Sequence, residues 1–501
     1  MKSENGRRVS ATTALKILAG GLALAVTASA CTSSSTKSSQ ASSSNTSQAK
    51  TAPSVTITIA GPNQFNNDTN TFGNAWNSLV ASFEQVNPSI HVNTEVLPLA
   101  TFNQTESTEL AAGTAPALVF DQATYKPYMV TNLDSYLNQP DPYVPGNKKW
   151  IDVFNPEYFG FNVVGAVNAQ GHINVIPFNE VAVGLFYNKA AFAKAGITAP
   201  ITTWTQFASD AAKLSAAGYT PLSMQSGSLG VGWILDTIWN MLAQKYFSAW
   251  NLYTPTGASG TSPQLTAEDI TRAITTGALN TNLPAVAETL RLTKQMLSQW
   301  STPNWSGVAD TGGGSVVALQ NFYDGKAAIA WGTDYAKGSL KGASFQYATM
   351  PFPTVTTATT SVSQNFPAEF GISGTGGTTY MIPSTTKGAQ LAAAIKFLQF
   401  VTAPKYNQPW IEATGALPIV QGVAVPSSDA GLLAGSWGKP RTMGPFPGGA
   451  GANNNEVVTE GYLLGDKSMS SELSFLEGQW KSYAQLQIST NGWQNLSWAK
   501  G

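Results

Sequence analysis

The sequence predicts an α/β fold in which a parallel sheet is covered by helices. Between residues 55 and 120, strand-like and helix-like segments alternate in the order β-α-β-α-β, the pattern of parallel strands joined by crossover helices. The chain is 43% hydrophobic and 10% aromatic over 501 residues, so large cores can form. At roughly 150 residues per domain, that length suits about three domain-sized units.

Each element has a local reason. Residues 55–60, VTITIA, are a β-branched run that Gly61-Pro62 turns. In 73–86, apolar positions 76, 79, 80 and 83 follow helical spacing, and Asn87-Pro88 ends the helix. Residues 90–96 alternate as a second strand. A helix over 102–112 stops at Gly113, and a buried strand over 117–120 runs into Asp121. Residues 173–189 read as strand with a Pro-Phe-Asn-Glu interruption. Helices follow at 190–195 and 204–217, the second capped by Thr202 or Thr203. After a turn at 218–221 and a short strand, helices are expected at 231–247 and 284–299. Strands are expected at 327–331 and 345–350, a helix at 388–401, and at least one more within 461–483. No fixed-period repeat is present.

Charge and rare residues exclude several functions. Lys and Arg total 27 and Asp and Glu 28, a net of −1, which leaves no basic excess for nucleic acid. Only 11% of residues are charged, and a surface rich in Ser, Thr, Asn and Gln suits an exported protein. Cys31 is the only cysteine, so no intrachain disulfide or thiolate zinc cluster is available. With His91 and His172 the only histidines, a His-rich metal site is excluded. No metal and no cofactor are expected.

Residues 1–30 read as a signal peptide: Lys2, Arg7, Arg8 and Lys16 precede the apolar run 17–28, which is short for a membrane span. Small residues before Cys31 resemble a bacterial lipobox, with Ala28 where Leu is usual. Ala28 and Ala30 also fit an ordinary signal-peptidase site. Lipidation of Cys31 is the favoured reading, because the one cysteine stands where lipidation needs it. Residues 31–53 then form a Ser-rich linker between the anchor and the globular body.

The segment 177–197, PFNEVAVGLFYNKAAFAKAGI, followed by 203–222, TWTQFASDAAKLSAAGYTPL, resembles extracellular solute-binding protein family 1, the sugar-binding components of ABC importers. Residues 83–92, 111–119, 322–332 and 415–419 match further family stretches in order; Ala117 replaces the family's usual Asp. The resemblance implies a type II, two-lobed periplasmic-binding-protein-like fold with the ligand between lobes. It implies crossings near 183–186, 326–330 and 365–372. The expected lobes are 54–184 plus 329–369, and 185–328 plus 370–501. It also implies a carbohydrate ligand, ABC permease subunits as partners, a monomer, and a lipoprotein on the outer face of the cell membrane.

Aromatic rings stack on the C–H faces of sugars, while carboxylates and amides pair with hydroxyls. Ligands bind at the carboxyl ends of strands in open α/β sheets. These rules select Gln64, Asn66, Asn67 and Asp68 after the first strand, Asp121 after the third, and Trp233 at a helix start. Glu180 lies just before a predicted crossing and Glu369, beside Phe370 and Gly371, near another. By resemblance, Trp331, Gly332 and Asp334 belong to the family's ligand-contacting turn. Tyr187, Asn188, Lys189 and Trp204 read as structural. The Gly-rich stretches 311–315 and 374–378 lack the phosphate-loop pattern and read as loops.

No catalytic group stands out, and the protein is not expected to be an enzyme. An exported glycoside hydrolase is the alternative, with Glu180 and either Asp334 or Glu369 as its carboxylates. A sugar sensor or adhesin with the same fold is another. Clustered Arg or Lys for a phosphorylated solute is missing from the candidate loops, so a neutral sugar is preferred.

Overall fold

The computed structural model describes residues 54–62, 71–122, 125–308, 316–370, 377–450 and 454–500. The expected signal peptide, linker and Cys31, the loop with Gln64, Asn66, Asn67 and Asp68, the stretch 311–315, Gly371 and residues 374–376 lie outside the described residues.

Two sheets organise the chain. The first has the order β2-β1-β3-β9-β4. Strand β1 (Val55–Pro62) pairs in parallel along its whole length with β2 (Ile90–Leu97) and, on its other side, with β3 (Leu118–Phe120). Helix Asn74–Val86 buries Trp76, Leu79 and Phe83 on one stripe, as the spacing predicts. Strand β9 (Thr379–Met381) then enters antiparallel between β3 and β4 (Val175–Pro177).

The second sheet has the order β6-β7-β5-β8. Strand β5 (Val183–Asn188) lies antiparallel to β7 (Ala327–Thr333) and β8 (Tyr347–Met350), and β6 (Thr220–Ser223) runs parallel to β7. Asn188 ends β5 and caps the next helix, its side chain accepting from Ala190 N and Ala191 N. Thr203 likewise caps helix Trp204–Ala216. Both caps satisfy amides that a helix start leaves open.

These pairings correct the expected lobe boundaries. Residues 329–369 do not join the first sheet. Leu185 faces Trp331 and Met350 across β5, and Phe352, Ala368 and Phe370 pack in the second core. Conversely, 379–423 belong with the first sheet: Phe397 and Phe400 pack edge-on against Phe83, and Trp410 against Trp76. The chain therefore passes between the sheets at 178–182, again between Phe370 and Thr379, and once more between Val423 and Leu432.

Candidate ligand cleft

At the end of β3, the Asp121 amide donates to Thr379 O at 2.8 Å. Its carboxylate accepts from Tyr125 Oη at 3.1 Å. Burial pushes this carboxyl up to about 6, against the pull of the Tyr125 hydrogen bond. Asp121 and Tyr125 line a cavity of about 240 Å³ together with Asn168, Asn174, Val167 and Pro127. The amide of Asn168 donates to Asn174 Oδ1, and Asn174 donates to Thr131 O at 3.1 Å. None of the lining residues is Lys or Arg.

In the second sheet, β6 leads into a turn at Ser228–Gly232 and then helix Trp233–Ala243. A side chain at Gly230 would meet Gln225 O at 2.1 Å, so only glycine lets this turn fold back on the strand end. Trp233 is half-buried and rests on Phe370, with ring centroids 5.0 Å apart. Part of its surface stays open beside the strand end.

Trp331 is placed differently from a stacking platform. It is only 2% exposed. Phe352, Phe370 and Trp437 surround it edge-on at 5.8, 6.4 and 6.2 Å. Its indole N–H donates to Leu229 O at 2.8 Å. Trp331 thus props the turn that carries Trp233. Neighbouring Gly332 pairs with Gly184 inside the sheet. Glu369 is 8% exposed, and its carboxylate accepts from Asn240 at 3.2 Å, Gln244 at 3.4 Å and Thr442 at 3.4 Å. Sequence reasoning passed over Tyr125, Asn168 and Asn174, which the fold gathers around Asp121 from separate loops.

A family model described as bacterial extracellular solute-binding protein matches residues 66–408. The chain belongs to that family. An sn-glycerol-3-phosphate-binding periplasmic protein of Yersinia enterocolitica is 31% identical over 255 residues, covering 50% of this chain and 49% of that protein. The chain thus spans about half the length of this relative. A solved chitin oligosaccharide binding protein superposes with a TM-score of 0.60 at 16% identity, covering 88% of this chain and 99% of that one. Maltose-bound MalE3 of T. maritima gives a TM-score of 0.58 at 16% identity, covering 85% and 99%. The fold is that of type II substrate-binding proteins. Among the described residues, no helix is long and apolar enough to cross a membrane, and no group of three or more His, Cys, Asp or Glu is placed to hold a metal.

In this solute-binding protein the remaining two candidates sit where the chain crosses between sheets. Glu180 is fully buried and pairs through its backbone with Leu417. Asp334 is also fully buried; it accepts from Ala182 N at 3.1 Å, and its amide donates to Ala182 O at 2.9 Å. Asn179 donates to Tyr335 Oη at 2.6 Å and accepts from Trp410 Nε1 at 2.9 Å. Lys337 pairs with buried Asp429 close by. Burial and the charge of Asp429 hold Asp334 well above the usual carboxylate range, and burial pushes Asp429 up to about 6. The crossing segments are thus tied by short polar contacts around buried carboxyls.

These carboxyls make stability depend on pH in a definite direction. Burial pushes the carboxyls of Asp121, Asp141 and Asp429 up to about 6 and that of Glu106 up to about 7. Between their unfolded and folded values the native state binds more protons, so stability falls as pH rises. The melting temperature should be higher near pH 5 than near pH 7.5, by scanning calorimetry of residues 54–501. A flat or rising profile over that window would count against these buried carboxyls.

Proposed function

We propose that the protein captures a neutral carbohydrate between its two sheets and hands it to the permease of an ABC importer. The observation that carries this reading is the Asp121 cavity. A carboxylate, a phenol and two amides line it without any Lys or Arg. That set pairs with sugar hydroxyls, whereas a phosphate calls for Arg or Lys. Trp233 supplies the aromatic surface for a sugar face. The chitin oligosaccharide binding protein and the maltose-bound MalE3, both of similar fold, support the same reading. Closure about the crossing segments gives the ligand its differential affinity for one state. Cys31 would carry the lipid anchor that holds the protein at the outer face of the membrane, and 31–53 would tether the body.

The second reading is glycerol phosphate, because the Yersinia enterocolitica relative is named for it. A thermal-shift panel of mono- and oligosaccharides together with sn-glycerol-3-phosphate separates the two. A ligand at 100 times its Kd adds about 2.7 kcal/mol. A shift with a saccharide, and no cleaved sugar afterwards, supports the carbohydrate reading. A shift with glycerol phosphate alone overturns it. Trp233→Ala should then weaken the active saccharide by about ten-fold or more, roughly 1.4 kcal/mol, by titration calorimetry.

A further inference from the structure

Across the 165–168 loop from the Asp121 cavity lies a second cavity, of about 290 Å³. One wall is the 164–169 stretch beside the first sheet. The other is Thr254, Thr266, Glu268 and the end of helix Met469–Asn491, with Gln487, Asn491 and Trp493. The half-buried Trp493 ring is braced by Trp498 at 5.9 Å. Asn491 donates to Gln487 O at 3.0 Å and to its Oε1 at 3.1 Å, fixing both amides. Beside this cavity the two bodies come into contact, since a side chain at Gly171 would meet Thr256 Cβ at 3.0 Å. Residues 487–493 lie beyond the 66–408 span of the family match.

We propose that this cavity is a second saccharide subsite, taking a further ring of a linear neutral oligosaccharide whose first ring occupies the Asp121 cavity. The proposal rests on the carbohydrate reading above and narrows it to an oligosaccharide. An indole, three amides, the Thr254 hydroxyl and a carboxylate line the space, and no Lys or Arg does; the Thr266 hydroxyl is taken up by Asp269 in the helix cap. That chemistry matches one sugar face and its rim of hydroxyls. Gly165, Val167 and Asn168 line both cavities, so one chain can pass over the loop from one to the other. Each cavity alone falls short of the roughly 300–1,000 Å³ of ligand pockets, and the two together reach it.

The test is titration calorimetry of the mature protein with glucose, maltose, maltotriose and maltotetraose, and with N-acetylglucosamine and its dimer to tetramer. In the series that binds, affinity should rise by about ten-fold or more from the shortest bound member to the longest. Trp493→Ala should remove that increment and leave the shortest bound member within about two-fold of its original affinity. Ala169→Trp, at an exposed position on the opposite wall, should do the same by filling the space. Affinity that does not change with length overturns the subsite while the carbohydrate reading stands. So does an increment that survives in both variants. If neither series binds, the subsite and the carbohydrate reading fail together.

Discussion

Trp331→Ala should cost the folded state about 3–5 kcal/mol, the range for truncating a buried tryptophan. The side chain is 2% exposed, edge-packed by Phe352, Phe370 and Trp437, and hydrogen-bonded to Leu229 O. Truncation leaves a cavity behind the Ser228–Gly232 turn and removes the donor that holds it. In a body of this size, a loss of that order lowers Tm by about 10 °C. Binding should weaken too, because the turn that aims Trp233 loses its prop. Trp331→Phe should restore part of the stability by refilling the space. A Trp331→Ala protein that melts like the wild type yet binds no saccharide would return Trp331 to the ligand surface, where the family resemblance puts it.

That contrast marks where sequence reading succeeds and where it stops. Helix Asn74–Val86 was legible because its buried stripe at 76, 79 and 83 is a local period, and its stop is a local Pro. The Thr203 cap and the Gly113 stop, with φ +74°, are local for the same reason. Lobe membership was not legible in the residues. Strand β9 has three residues and pairs with β3 and β4, each about 200 residues or more away in sequence. Nothing in Thr379–Met381 encodes those partners, and the family-based boundaries put β7 and β8 on the wrong sheet. Helix Pro404–Thr414 was missed because Pro409 inside it reads as a breaker. At the cleft, a tryptophan at a helix start or near a strand end announces aromatic chemistry but not its facing. Trp233 and Trp331 therefore looked equivalent until burial separated them. Tyr125, Asn168 and Asn174 had no signal at all, since only the fold brings them to Asp121.

Gly377→Ala should disable the crossing itself. The residue lies where the chain returns toward the first sheet, beside the outgoing segment, and Phe178 N donates to Thr378 O at 2.7 Å. A methyl group at 377 would stand 2.0 Å from Asn179 O and 2.7 Å from its carbonyl carbon. Those are backbone atoms, and they cannot swing aside as a side-chain tip can. Asn179 is also pinned by Tyr335 and Trp410, so the strain must separate the two segments. Overpacking of this kind costs about 1–3 kcal/mol, and more where backbone must move. The same separation alters the angle at which the bodies meet, so affinity for the active saccharide should fall by about ten-fold or more. Small-angle scattering should show a smaller change in radius of gyration on ligand addition than in the wild type. Gly478→Ala is the control: that glycine sits mid-helix with open space around it, and alanine there should stabilise by about 0.5–1 kcal/mol. If Gly377→Ala melts, binds and closes like the wild type, the segments at Asn179 and Gly377 are not the element that sets closure. The hinge must then be sought at the Val423–Leu432 passage, where Lys337 and Asp429 pair.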